Sequence, residues 1–188
     1  MRSAYWDPLP TARALAPADA RFPVFRGVWA ERNWRNVPGP FYGADTDCMM
    51  MGRYEAPRHI AYDGDGQEFV FRQPVDVHET DNLVRGARVE LYSAYGCDGD
   101  DHWTVGSVRD WWRDRGRVRE WAVATGAEWA AYAGDPRYAA HYNEAAQGHR
   151  DFVGHIDDGL EAYLRGYLFW LEQRREPGAG EALPRLQG

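Results

Sequence analysis

The run Cys97-Asp98-Gly99-Asp100-Asp101-His102-Trp103 holds three carboxylates and one imidazole. Oxygen and imidazole ligands suit a divalent cation, which makes Asp98, Asp100 and His102 candidate metal ligands. Asp101 and His102 are the alternative, a general acid–base pair. The same run also reads as a turn before a helix, where negative side chains favour the helix dipole. Its spacing does not match a calcium loop, which needs more ligands and a distal Glu.

A second constellation lies at residues 33–47. Asn33, Trp34 and Arg35 precede Pro38-Gly39-Pro40, Phe41 and Tyr42, and Asp45 and Asp47 follow. Planar hydrogen-bonding groups, rings and stiff backbone build a binding pocket or a partner-facing surface. They also build ordinary aromatic cores. With Trp103, the residues Asn33, Trp34, Arg35, Tyr42, Asp45 and Asp47 are the candidate binding set. The expectation is that the two loops meet in one recess. Asp63 and Asp65 form a third such pair, read as hairpin-turn chemistry.

Several chemistries are excluded. All 22 basic side chains are arginine, so no lysine can form a Schiff base or serve a P-loop. Serine occurs only at positions 3, 93 and 107, without a nucleophile elbow. GxGxxG, GxxxxGK[ST] and HExxH are absent. His141 and Glu144 reverse the ExxH order of di-iron bundles and have no second copy. His149 falls on an apolar stripe and reads as a core residue. Two cysteines cannot supply the four thiolates of an ordinary iron–sulfur cluster. Cys48, beside Met49, Met50 and Met51, reads as a buried thiol. No cofactor is expected.

The formal net charge of −7 disfavours nucleic acid, which needs a basic face. It favours a basic protein partner, with a small molecule as the other expected ligand class. Met1-Arg2-Ser3-Ala4-Tyr5-Trp6-Asp7-Pro8 lacks the apolar run of a signal peptide. No apolar stretch approaches the roughly 18 residues of a membrane span. These features predict a cytoplasmic protein with reduced thiols and no membrane partner.

The elements that must position these residues follow from pattern. Pro8, Pro10, Pro17, Pro23, Pro38 and Pro40 forbid long helices near the start. That part is expected to wrap the body in extended pieces, pinned by Trp6, Phe22, Phe25, Trp29 and Trp34. Residues 59–62 and 67–72 read as a hairpin around Asp63-Gly64-Asp65-Gly66. A third strand is expected from residues 22–29 or 41–43. Residues 75–95 favour a helix. Thr104 is the expected N-cap of another, which Gly116 breaks or bends. Asp135 and Pro136 mark the start of a C-terminal helical run, continuous or broken near Gly148 or Gly154. Gly159 and Gly166, seven apart, are placed on one face. The fold class is α+β: a small antiparallel sheet from the N-terminal half packed against a mainly helical C-terminal half. Residues 1–176 read as a single globular domain with residues 177–188 as a loosely ordered tail.

Four segments carry a resemblance. They are Arg35-Asn36-Val37-Pro38-Gly39-Pro40-Phe41-Tyr42-Gly43-Ala44, Gly66-Gln67-Glu68-Phe69-Val70-Phe71-Arg72-Gln73-Pro74, Asp98-Gly99-Asp100-Asp101-His102-Trp103-Thr104 and Tyr163-Leu164-Arg165-Gly166-Tyr167-Leu168-Phe169-Trp170-Leu171. Over most of its length the chain resembles a family of small actinobacterial proteins, some labelled ferredoxin. The cysteine count argues against that label here. The resemblance implies no particular activity and transfers no catalytic residue.

The leading expectation is a cytosolic protein-binding module, of which an immunity-type protein neutralising a basic toxin is one form. It would use an aromatic and arginine surface. The alternative is a small enzyme or small-molecule binder, in one version metal-assisted. Its site would lie between residues 33–47 and 98–102.

Overall fold

A computed structural model describes residues 5–187. Residues 1–4 of the N-terminal stretch read above, and residue 188 of the tail, lie outside the described part. The architecture is α+β, with two small antiparallel sheets and a mainly helical C-terminal half. α1 (Leu9–Leu15) precedes a single 3-10 turn at Trp29–Glu31. β1 (Tyr42–Gly43), α2 (Gly52–Glu55), β2 (Ile60–Tyr62), β3 (Glu68–Val70), α3 (Val77–Val89) and β4 (Tyr95–Gly96) follow. A second 3-10 turn, Gly99–Asp101, leads into α4 (Val105–Tyr132), α5 (Ala139–Asp157) and α6 (Leu160–Gln173). No helix of the described residues is long and apolar enough to cross a membrane.

The expected hairpin is present as β2 and β3, with Ile60 opposite Val70 and Tyr62 opposite Glu68. Alternation sends its two faces into two cores. Ala61, Phe69 and Phe71 pack with Val108, Trp112, Phe152 and Tyr167. Ile60, Tyr62 and Val70 pack with Leu9, Leu83, Val84 and Trp129. The expected third strand forms at Tyr42–Gly43 but does not join the hairpin. It pairs with Tyr95–Gly96 in a separate two-stranded sheet, and Phe25 bridges Ala94. The side chain of Asn36 explains the split, because it occupies the hydrogen-bonding edge between β1 and β3.

α3 begins where Asp76 caps it, accepting from Glu79 N at 2.9 Å. α4 begins at Thr104 with a capping box: Thr104 Oγ1 accepts from Ser107 N, and Ser107 Oγ accepts from Thr104 N. Gly116 does not break α4, which runs 28 residues; open space surrounds that glycine. The C-terminal start differs from expectation. Asp135 binds the Arg137 backbone and guanidinium, and α5 starts later, after Tyr138. The break lies at Asp158–Gly159 rather than at Gly148 or Gly154. Gly159 takes φ 101°, a left-handed conformation that glycine adopts without strain. Gly159 therefore caps α6 and does not share a helical face with Gly166. Gly148 stays helical and faces buried Arg53 and Ala61.

The chain beyond α6 is tied down, against the loose tail expected from its composition. Leu186 is 4% exposed and joins the α4–α6 core. Arg165 donates to the carbonyls of Leu183 and Pro184, and Arg109 donates to that of Arg185. Cys48, expected buried, is exposed.

Candidate functional site

Two buried polar side chains hold the front loop in place. Asn36 is 2% exposed. Its Nδ2 donates to the carbonyls of Asn33 and Gly43, and its Oδ1 accepts from Gly43 N and Val70 N, all within 2.9 Å. One amide thus substitutes for a strand between the two sheets. Asp63 turns the hairpin as expected, its Oδ1 accepting from Asp65 N and Gln67 N at 3.0 Å. It also reaches outward, because its Oδ2 accepts from Asn33 Nδ2 at 2.9 Å and from Arg35 Nη1 at 3.1 Å. Desolvation pushes the Arg35 guanidinium below its ordinary value, and Asp63 opposes the shift.

Loop residues and α4 enclose a recess of about 410 Å³, lined by Asn33, Trp34, Asn36, Trp103, Trp111 and Asp110 together with Arg32, Ser107 and Asp114. Arginines stack on its tryptophans. Arg32 lies 4.0 Å from the Trp29 centroid and 5.9 Å from that of Trp103. Arg35 bridges Trp34 and Trp121 at 4.7 and 4.3 Å. Arg117 covers Trp34 at 4.4 Å. Such contacts rigidify long side chains, each contributing on the order of 1 kcal/mol. Asp110 pairs with Arg113, and Asp114 with Arg117.

The acidic bend adjoins this recess through direct bonds. Gly99 N donates to the Pro40 carbonyl at 3.0 Å, and a side chain at Gly99 would collide with the Gly39 carbonyl. Tyr42 Oη lies 2.7 Å from Asp98 Oδ1. Burial and the Asp98 carboxylate both raise the Tyr42 pKa. His102 Nε2 lies 3.2 Å from Asp98 Oδ2, and its ring stacks on Trp29 at 4.8 Å. Trp29 also meets Tyr42 and Trp103 edge-on. Burial, then Asp98, push the Cys97 thiol up to about 11, so it is a poor nucleophile.

The candidate metal ligands do not converge. Asp100 is 5% exposed and turns into the core. There its Oδ1 accepts from Tyr167 Oη at 2.7 Å and its Oδ2 from Trp170 Nε1 at 3.1 Å. Asp98 and His102 stay at the surface. Among the described residues no group of three or more His, Cys, Asp and Glu side chains is arranged to hold a metal ion. The carboxylate beside His102 is that of Asp98; Asp101 is exposed and contributes a backbone bond to Asp98.

Asn33, Trp34 and Trp103 line the recess, and Arg35 stacks on Trp34 beside it, whereas Tyr42 is buried beneath Trp29 and does not line it. Neither do Asp45 and Asp47. Asp45 accepts from Gln67 Nε2 at 2.7 Å. Asp47 is buried and ties the chain after α3, accepting from Leu91 N at 2.7 Å and Met49 N at 2.7 Å. The HxxE pair also separates: Glu144 binds buried Arg53 at 2.8 Å, while His141 meets Tyr54. His149 is a core residue, as expected, with Nε2 2.8 Å from the Tyr62 carbonyl.

Sequence reasoning missed Trp29, Arg32, Asn36 and the α4 wall. The wall had a legible signal: Ser107, Asp110, Trp111 and Asp114 recur at helical spacing. Its charges read as a solvated face, and only the neighbouring loop makes that face one side of a recess. Comparisons with family models, curated proteins and solved structures return no match to the chain.

Proposed function

We propose that this chain is a protein-binding module that receives a basic segment of a partner in the recess between the Trp34 loop and α4. The immunity-type role is one case, in which the partner is a basic toxin. The carrying observation is the preassembled tryptophan–arginine cluster with Trp34 still 40% exposed. Trp and Arg are the usual energetic anchors of interfaces. Rings fixed by stacked guanidiniums lose little freedom on docking. Asp110 and Asp114 supply negative charge, and their arginine partners are exposed pairs worth little. An incoming guanidinium or ammonium can therefore exchange with Arg113 or Arg117. The net charge of −7 steers a basic partner toward the molecule.

Native mass spectrometry of the protein isolated from its own cells tests this reading. The expected result is a stoichiometric complex with a basic protein, weakened at least about tenfold by Trp34→Ala. A complex indifferent to Trp34→Ala, or isolation with no protein bound, would overturn it. One observation favours a second reading, an acid–base site for a small molecule: Asp98 orients an accessible His102 beside Tyr42. A small ligand retained in the same spectrum, and lost on His102→Asn, would favour that reading instead.

A further inference from the structure

Another face of α4 borders a second cavity, of about 510 Å³. Trp112, Arg115, Glu161, Arg165, Arg185 and Leu186 line it, with Gln187. Three arginines thus border one space in a protein of net charge −7. None of the three is ion-paired among the described residues; Arg35, Arg53, Arg72, Arg117, Arg119 and Arg175 each are. Two of the cavity arginines are held in other ways. Arg115 stacks on the Trp112 ring at 3.8 Å and donates Nη1 to the Trp112 carbonyl at 2.8 Å. Arg165 donates Nε and Nη2 to Pro184 and Leu183. Both are half-buried, and neutral carbonyls fix their positions without cancelling their charge.

The negative charge facing them is small. Among the described residues Glu161 is the cavity's single carboxylate, and it makes no ion pair there. Asp157 and Asp158 line a smaller neighbouring cavity that shares Trp112, Glu161 and Arg165. Asp157 is taken by Arg119, which donates to both its oxygens at 2.7 Å. Like charges gathered in a concave, partly desolvated space raise the energy of the empty site. An oxyanion that accepts from several forks lowers it.

From this geometry we infer that the cavity bounded by Arg115, Arg165 and Arg185 binds a soluble small molecule carrying a phosphate or diphosphate group. Its volume falls in the range of metabolite pockets, roughly 300–1,000 Å³, and exceeds what one simple anion needs. The site uses a different face of α4, that of Trp112 and Arg115, from the proposed docking recess and does not depend on it. Trp111 and Trp112, adjacent in sequence, divide the two.

Calorimetric titration of the protein with sodium diphosphate at fixed ionic strength tests the inference. The expected result is saturable one-to-one binding, with chloride and sulfate at least about tenfold weaker. Arg185→Gln and Arg115→Gln should each weaken diphosphate binding about tenfold, and Glu161→Gln should tighten it severalfold. The Arg185 side chain makes no internal bond among the described residues, so Arg185→Gln separates a lost contact from a lost fold. Absence of saturable binding would overturn the inference. So would binding that chloride matches, or binding that both arginine variants leave unchanged.

Discussion

The two concave sites on α4 use the same side chain for opposite ends. In the recess each guanidinium lies on a tryptophan face, and Arg35 and Arg117 are also paired with carboxylates. In the second cavity carbonyls anchor Arg115 and Arg165, Arg185 is unbonded among the described residues, and no carboxylate pairs with any of the three. Stacked and paired arginine supports a surface, whereas unpaired arginines gathered in one cavity favour an anion. The contrast also separates two kinds of construction. The recess rests on buried polar side chains that replace backbone pairing. The arginine cavity rests on helix surfaces and a docked tail.

The sharpest way to break the comparison is to remove Asn36. Asn36→Ala strips an acceptor from the buried amides of Gly43 and Val70. Each orphaned group costs roughly 1–3 kcal/mol, so the loss is expected at about 4 kcal/mol in urea unfolding. Arg185→Gln should change stability by less than about 0.5 kcal/mol. Equal effects of the two would erase the distinction in construction.

A smaller effect comes from pH. His149 meets Trp121 edge-on at 5.2 Å, and Trp121 meets Trp34, so this imidazole lies beneath the recess wall. Burial, then Arg53 and Arg35, push its pKa down to about 4, against the bonds to backbone that raise it. A folded value below the unfolded 6.5 means the unfolded chain binds the extra proton. Stability from this group is complete above pH 6.5 and is lost as pH falls toward 4, by up to about 3 kcal/mol. Buried His59 and His155 are shifted in the same direction. Glu68, pushed up to about 7 chiefly by burial, opposes them between its ordinary 4.5 and 7. The net expectation is a urea midpoint that rises from pH 4 to 6.5, with a shallower rise in His149→Gln. An unchanged slope in that variant would refute the assignment. A smaller loss again belongs to the helix that both sites share. Thr104→Ala removes the capping box and should cost about 1 kcal/mol while touching neither set of lining rings.

Legibility in the sequence followed the range of the interactions. The Thr104 cap, the hairpin turn at Asp63 and the α3 helix are set by residues within a few positions, and each was readable. The C-terminal boundaries were not. Asp135 has the chemistry of a cap, yet a neighbouring Arg137 takes its carboxylate. Gly148 has the chemistry of a break, yet the chain breaks at Gly159. The acidic bend shows the same limit. The run from Cys97 to Trp103 suggested a cation site, but Tyr167 and Trp170, 67 and 70 positions from Asp100, draw that carboxylate inward.

The sequence by itself determined the α+β class, the helical second half, the turn chemistry and the exclusion of lysine, P-loop and nucleophile-elbow chemistries. Periodicity and residue inventory carry that information, because they act through neighbours along the chain. Tertiary structure alone decided which charges are cancelled. An arginine reads the same in sequence whether a ring, a carboxylate or a carbonyl holds it. Only the approach of distant segments, Trp34 to α4 on one side and Leu186 to α6 on the other, fixes which arginines are already satisfied.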